Sequence, residues 1–178
     1  MRPLALLLAM VPGWAMAHPV DEVVLGAYLT LAPGAVHLEL DIAPGSEVVG
    51  ALLPAMDPDN DHQVTQAEIR SFAQTVLDQI TLTLDGVPGN WALEEVSLPD
   101  YARLLSGNDL VKINAVAVRP DTVGEHEFSY LNTYHPAKTL QMANVFLQPG
   151  GGWQFLVRGQ DRSDDGGRLT VTFTTSQR

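Results

Sequence analysis

The chain has 178 residues, no cysteine and a formal net charge of −11 at pH 7. The absence of cysteine excludes disulfide bridges and thiol chemistry, and the acidic charge argues against nucleic acid as a partner. No Gly-x-Ser-x-Gly elbow, His-Glu-x-x-His pair or phosphate-binding glycine loop occurs, so we do not expect an enzyme. The length predicts a single domain with a sizeable core.

The chain begins like an exported protein. Arg2 precedes the apolar run Leu4–Val11, and Ala15-Met16-Ala17 matches the small-x-small rule for signal peptidase. We therefore predict a signal peptide over residues 1–17, cleavage after Ala17, and a periplasmic or secreted mature chain. The apolar run is too short to span a bilayer, and no later segment is long and apolar enough, so no transmembrane segment is expected in the mature chain.

The mature chain, residues 18–178, is dominated by strand patterns. The run 36–42 alternates apolar and polar residues and predicts a strand with one buried and one solvated face. His37, Glu39 and Asp41 share the polar face, as a solvated surface or as a small metal site. Further strand signals recur at short spacing, at 22–31, 80–84, 91–98, 110–118, 126–132, 140–147, 153–158 and 169–173. We expect residues 80–84 and 91–98 to form a hairpin, residues 99–109 to be irregular, and the glycine-rich residues 149–152 to be the hairpin turn between 140–147 and 153–158. This pattern predicts a mainly β protein, an antiparallel β-sandwich in one domain.

A helical insertion at residues 46–80 interrupts the strands. A short capped helix is expected to enter it and to end near Pro54, which cannot donate the i−4 hydrogen bond. Thr65 and Glu68 form a capping-box pattern that begins an exiting helix over about 66–80. One apolar stripe follows at helical spacing: Ile69, Phe72, Ala73, Val76, Leu77 and Ile80.

Between these two helical segments lies a twelve-residue acidic stretch, residues 57–68. Its carboxylates stand at positions one, three, five and twelve, and Ca²⁺, which takes about six to eight oxygen ligands, is bound by alternate residues of such a loop. The stretch resembles an EF-hand calcium loop. The predicted ligands are Asp57, Asp59, Asp61, the Gln63 backbone carbonyl, Thr65 through a water, and Glu68.

Position six departs from the EF-hand pattern. Glycine is usual there because the turn requires a positive φ, whereas this chain has His62. A positive φ at His62 is expected to cost about 1 kcal/mol, or roughly a fivefold loss of affinity. Val64, at position eight, is expected to point inward. The alternative interpretation is an acidic turn between two helices that binds no ion.

Two weaker candidates lie elsewhere in the chain. Residues 161–167 place oxygens at positions one, three and five of a loop, but position twelve would be Thr172, so a solvated hairpin is favoured. At the mature N-terminus, the amine and imidazole of His18 are able to chelate copper or nickel if the fold brings in another histidine.

A second resemblance covers roughly residues 18–90. His18-Pro19-Val20-Asp21, Leu38-Glu39-Leu40-Asp41 and the acidic loop resemble the extracytoplasmic N-terminal domain of bacterial membrane proteins of the hydrogenase- and urease-accessory type. The resemblance implies a β-sandwich with a similar insertion and an association with metal handling.

The sequence thus favours a periplasmic protein with one calcium-binding EF-hand, in which the ion is structural or weakly sensing. The alternatives are a copper- or nickel-binding protein that uses His18, and a metal-free interaction module with a protein partner in the periplasm or at a membrane complex.

Overall fold

The computed structural model describes residues 20–178, so the predicted signal peptide and His18 lie outside the described residues. Ten strands within this range form two five-stranded sheets. Sheet A has the order β5-β6-β2-β1-β8 and sheet B the order β4-β3-β7-β10-β9. The strands are β1 Val23–Ala32, β2 Ala35–Pro44, β3 Ile80–Leu84, β4 Val87–Gly89, β5 Ala92–Val96, β6 Val111–Val118, β7 Gly124–Asn132, β8 Thr139–Leu147, β9 Trp153–Arg162 and β10 Arg168–Gln177.

The two sheets bury their inner faces against one another, which confirms the predicted β-sandwich. The alternation in β2 is complete: Val36, Leu38, Leu40 and Ile42 are buried, and the residues between them are partly exposed. Sheet B contributes aromatic side chains to the same core, with Phe128, Tyr130 and Phe173 all at most 1 % exposed. Burial of these apolar faces is the main favourable term in folding.

Strand pairing differs from the simple hairpin order that the sequence predicts. β3 pairs with the three-residue β4 and with β7, whereas β5 belongs to the other sheet and pairs with β6. The predicted hairpin between residues 80–84 and 91–98 is therefore wrong. Likewise, the glycine-rich turn after β8 joins two sheets rather than two paired strands, because β8 pairs in parallel with β1 and β9 pairs with β10.

The exiting helix of the insertion is confirmed as α2, Gln66–Leu77. It ends three residues earlier than predicted, because Ile80 already begins β3. Its apolar stripe is buried in the common core and includes Ile69, Phe72, Ala73, Val76 and Leu77. α2 packs against β3 of sheet B and β5 of sheet A, so the insertion bridges the two sheets along one side of the sandwich.

The entering helix is shorter and less regular than predicted. A 3₁₀ turn, Val49–Ala51, is followed by a single α-helical turn, α1 Leu53–Met56. Pro54 lies at the start of α1 instead of ending a helix, which is the position where proline is tolerated because the first-turn N–H groups have no intrahelical partner. The preceding Val48-Val49-Gly50 combines β-branched residues with glycine and explains the lack of a continuous helix.

The segment after β5 holds a short helix that the sequence analysis described as irregular. α3, Tyr101–Leu105, is capped by Asp100, whose side chain accepts from the Arg103 N–H. Across residues 20–178, none of the helices combines the length and apolar character needed to cross a membrane.

Candidate metal centre

The acidic loop between α1 and α2 brings three predicted ligands together. One carboxylate oxygen from each of Asp57, Asp59 and Asp61 lies within 4.8 Å of the other two. Asp57 is 3 % exposed, whereas Asp59 and Asp61 face solvent. The group therefore consists of one buried carboxylate and two exposed ones.

Backbone N–H groups of the loop hold these carboxylates in place. The Asp61 N–H donates to Asp57 Oδ1 (3.1 Å), and the His62 N–H donates to Asp57 Oδ2 (3.1 Å). The Gln63 N–H donates to Asp61 Oδ1 (2.8 Å). An ionised carboxylate has about four lone-pair sites, so each of these oxygens retains capacity for a further partner such as a cation.

The tight curvature of the loop requires left-handed backbone at two residues. Asn60 has φ 57° and His62 has φ 67°, which places the positive φ expected at position six on a histidine. Asn and His tolerate this region better than most non-glycine residues. Val64, two residues further, is 8 % exposed and belongs to the core cluster, as predicted.

The end of the loop is held by the capping box of α2. The Thr65 N–H donates to Glu68 Oε2 (2.8 Å), and the Glu68 N–H donates to Thr65 Oγ1 (3.3 Å). The Glu68 carboxylate lies outside the 4.8 Å grouping. Of the predicted ligands, Asp57, Asp59 and Asp61 are thus brought together, while Gln63, Thr65 and Glu68 follow on the adjoining backbone and first helical turn.

The loop concentrates negative charge without an internal cation. Among residues 20–178, no ion pair involves any of its four carboxylates. The Asp61 N–H lowers the pKa of Asp59 through its hydrogen bond. Desolvation, the charges of Asp61 and Glu68, and a hydrogen bond with the Asp57 side chain outweigh that effect and raise the pKa of Asp59 above its usual value. Mutual repulsion of this kind is relieved by a bound cation.

Tyr101 of α3 is a neighbour of the loop that the sequence analysis missed. His62 Nδ1 lies 3.3 Å from the Tyr101 hydroxyl, and the two rings are 5.9 Å apart. Partial burial and the carboxylates of Asp57 and Asp61 raise the pKa of Tyr101. The only sequence signal was Asp100 as an N-cap three residues before Arg103, and it does not reveal where α3 packs.

The other sequence candidates do not form metal clusters within the described residues. His37 faces Glu94 at 3.8 Å, whereas Glu39 and Asp41 both pair with Lys112, so the three residues do not converge on a common metal position. Residues 161–167 are the end of β9 and the turn of the β9–β10 hairpin. The prediction about His18 stays untested because that residue lies outside the described range.

Comparison with known proteins assigns the chain to no family. No protein-family model and no curated protein matches the chain.

Proposed function

We propose that this protein is an exported calcium-binding protein in which residues 57–68 hold one Ca²⁺ ion. The observation that carries the proposal is the convergence of three carboxylates within 4.8 Å, with no ion-pair partner among residues 20–178. Ca²⁺ prefers carboxylate and carbonyl oxygens. The oxygen-only, cysteine- and histidine-free donor set argues against a soft transition metal.

The role of the ion is structural or weakly sensing. Asp57 is anchored at the C-terminal end of α1, and Glu68 lies in the first turn of α2. An ion held by both ends would pin the two helical segments to each other. Because the apolar stripe of α2 is buried in the sandwich core, opening of an apolar groove on binding, as in sensor EF-hands, is not expected.

The expected affinity is that of extracellular calcium modules, about 10⁻⁴–10⁻³ M. At a calcium concentration ten times the Kd, linkage raises the free energy of unfolding by about 1.4 kcal/mol. For a domain of this size, that corresponds to a rise in Tm of roughly 3–6 °C. The predicted signal peptide supports this comparison with extracellular modules, since it favours a periplasmic or secreted protein.

Calorimetric titration of the metal-free mature protein with Ca²⁺, together with thermal melts, tests the proposal. Asp57→Asn keeps the shape of the side chain and removes its charge, and we expect it to weaken calcium binding at least about tenfold. Asp161→Asn makes the same change at position one of the β9–β10 hairpin and is the matched control. Equal calcium binding by the wild type and Asp57→Asn would refute the site.

A further inference from the structure

The outer face of sheet A carries a trough of about 560 Å³ on the side of the molecule formed by strands β5, β6, β2, β1 and β8. Its lining combines aromatic rings at one end with carboxylates at the other. Tyr28 and Phe146 form the aromatic end, and Glu94 and Glu95 form the acidic end. This combination attracts cationic groups, since aromatic faces and carboxylates both bind them.

The Tyr28 ring at the aromatic end packs over a glycine. A Cβ atom on Gly26 would lie 3.2 Å from Tyr28 Cε2 and from its hydroxyl oxygen, so the ring lies over the Gly26 backbone. The Phe146 ring is 6.4 Å from that of Tyr28, and Phe146 is 52 % exposed. A large aromatic side chain on an exposed strand face is available to a partner rather than to the core.

The acidic end keeps unneutralised charge. Lys112 pairs with Glu39 and Asp41, which neutralises much of the charge in the centre of the sheet. Within the described part of the chain, the one ion-pair partner of Glu94 is His37, at 3.8 Å. Glu95 has no ion-pair partner within residues 20–178. The trough therefore complements a positively charged ligand.

Strand register sets the distance between the two ends. Tyr28 is paired with Glu39, Glu39 with Asn114, and Asn114 with Glu95, so these side chains lie in one row across four strands. Three strand spacings amount to about 14 Å. An extended peptide covers that distance in about four residues.

We propose that this trough binds an extended basic peptide segment of a partner protein. One lysine or arginine side chain packs on Tyr28 and Phe146, and a second, about four residues along, pairs with Glu94 and Glu95. The Asn114 amide lies between them and is able to bond the peptide backbone. The proposal is independent of calcium binding, because none of these residues belongs to the acidic loop.

Fluorescence anisotropy with labelled synthetic peptides at about 0.15 M salt tests this assignment. The first probe is a Ser/Gly peptide with two arginines four residues apart. The second has the two arginines adjacent, and the third has glutamates in their place. We expect the spaced arginine peptide to bind more tightly than the other two. Equal binding of the spaced and adjacent arginine peptides, or of the arginine and glutamate peptides, would overturn the proposal.

Variants locate the binding surface. Phe146→Ala is expected to weaken binding of the spaced peptide roughly two- to fivefold, and Glu94→Gln/Glu95→Gln by a similar factor.

Glu125→Gln/Glu127→Gln makes the same charge change on the outer face of sheet B, and Asp59→Asn/Asp61→Asn makes it on the acidic loop. Both controls should bind as the wild type does. A loss in either control as large as in Glu94→Gln/Glu95→Gln would place the peptide elsewhere and overturn the assignment. Thermal melts of each variant confirm that it is folded.

Discussion

Two acidic loops of this molecule share the same spacing and differ in what surrounds it. Residues 57–62 and 161–166 both place oxygen-bearing side chains at positions one, three and five and a left-handed residue at position six, with φ 67° at His62 and 73° at Gly166. In the first loop three carboxylates converge, and no cationic side chain of residues 20–178 pairs with them. In the second loop, the carboxylates have ion-pair and hydrogen-bond partners within the protein.

The partners of the second loop are all internal. Arg168 pairs with Asp161 at 2.9 Å. The Asp165 carboxylate accepts from the Ser163 hydroxyl at 2.5 Å and from the Gly167 N–H at 3.0 Å. A strand follows this loop, whereas a capped helix carrying Glu68 follows the first. The two loops thus share their ligand spacing and differ in the charge left unpaired and in the element that follows, and these two differences are why we propose a metal site only at the first.

The largest expected effect comes from position six of the second loop. A Cβ atom on Gly166 would lie 2.1 Å from the Gln141 carbonyl oxygen of β8, so Gly166→Ala adds a backbone collision to the strain of a positive φ. We expect a loss of more than about 2 kcal/mol in the free energy of unfolding, measured by urea denaturation. Gly34→Ala is the control, because Gly34 has φ 76° and no atom within 4 Å of its Cβ position. A similar cost for both variants would show that the collision relaxes.

Glu68→Gln separates the two roles of the residue that ends the first loop. Glutamine also serves at this position of a capping box, so the metal-free protein should keep its stability to within about 0.5 kcal/mol. Calcium affinity should fall roughly tenfold, because a charged ligand oxygen is lost. Calorimetry and urea denaturation in excess chelator check both parts. Thr65→Ala is the complementary variant, which removes the cap at a cost of about 1 kcal/mol. Unchanged calcium affinity in Glu68→Gln would remove Glu68 from the ligand set.

His62→Gly makes position six of the first loop like that of the second. Glycine adopts a φ of 67° without a steric cost, so we expect the free energy of unfolding in saturating calcium to rise by up to about 1 kcal/mol. In saturating calcium, the free energy of unfolding contains the strain at His62 whether that strain arises when the protein folds or when the ion binds. Thermal melts in excess chelator distinguish these two cases. Asn60→Gly should gain less, because asparagine tolerates left-handed backbone. A decrease in stability would indicate that the His62–Tyr101 contact outweighs the backbone strain.

The two loops should also differ in the direction of their pH dependence. In the metal-free protein Asp59 has a raised pKa, so its contribution favours the folded state at low pH and is lost as pH rises through the folded pKa. The Ser163 hydroxyl and the Gly167 N–H lower the pKa of Asp165, so its contribution is present above the unfolded pKa and is lost as pH falls through the folded pKa. Carboxyl NMR titration should find Asp59 above, and Asp165 below, the usual value near 3.9. The reverse order would contradict the described charge environments.

Features set by neighbouring residues were predictable from the sequence. The alternation of residues 36–42, the capping box of Thr65 and Glu68, and the inward position of Val64 each follow from side chains a few residues apart. The clustering of Asp57, Asp59 and Asp61 belongs to the same class, because one tight loop contains all three.

Features that depend on distant partners were not predictable. Alternation identifies a strand but does not identify its neighbour, so the assignment of β5 to sheet A and of β9 to sheet B was missed. The contact between Tyr101 and His62 joins residues that only the folded sandwich brings together. The regular entering helix was wrong for a different reason: local patterning suggested a helix where Val49, Gly50 and Pro54 favour short turns.

The parallel pairing of β1 with β8 has a consequence for the order of folding. It joins the first strand of the described chain to the eighth, and six of the ten described strands lie between them in sequence. Contacts of such long sequence separation form slowly because the intervening chain must first lose its freedom. The edge of β1 therefore remains open to other extended chains until late in folding. This is the interval in which a chaperone that covers exposed strands would be most useful.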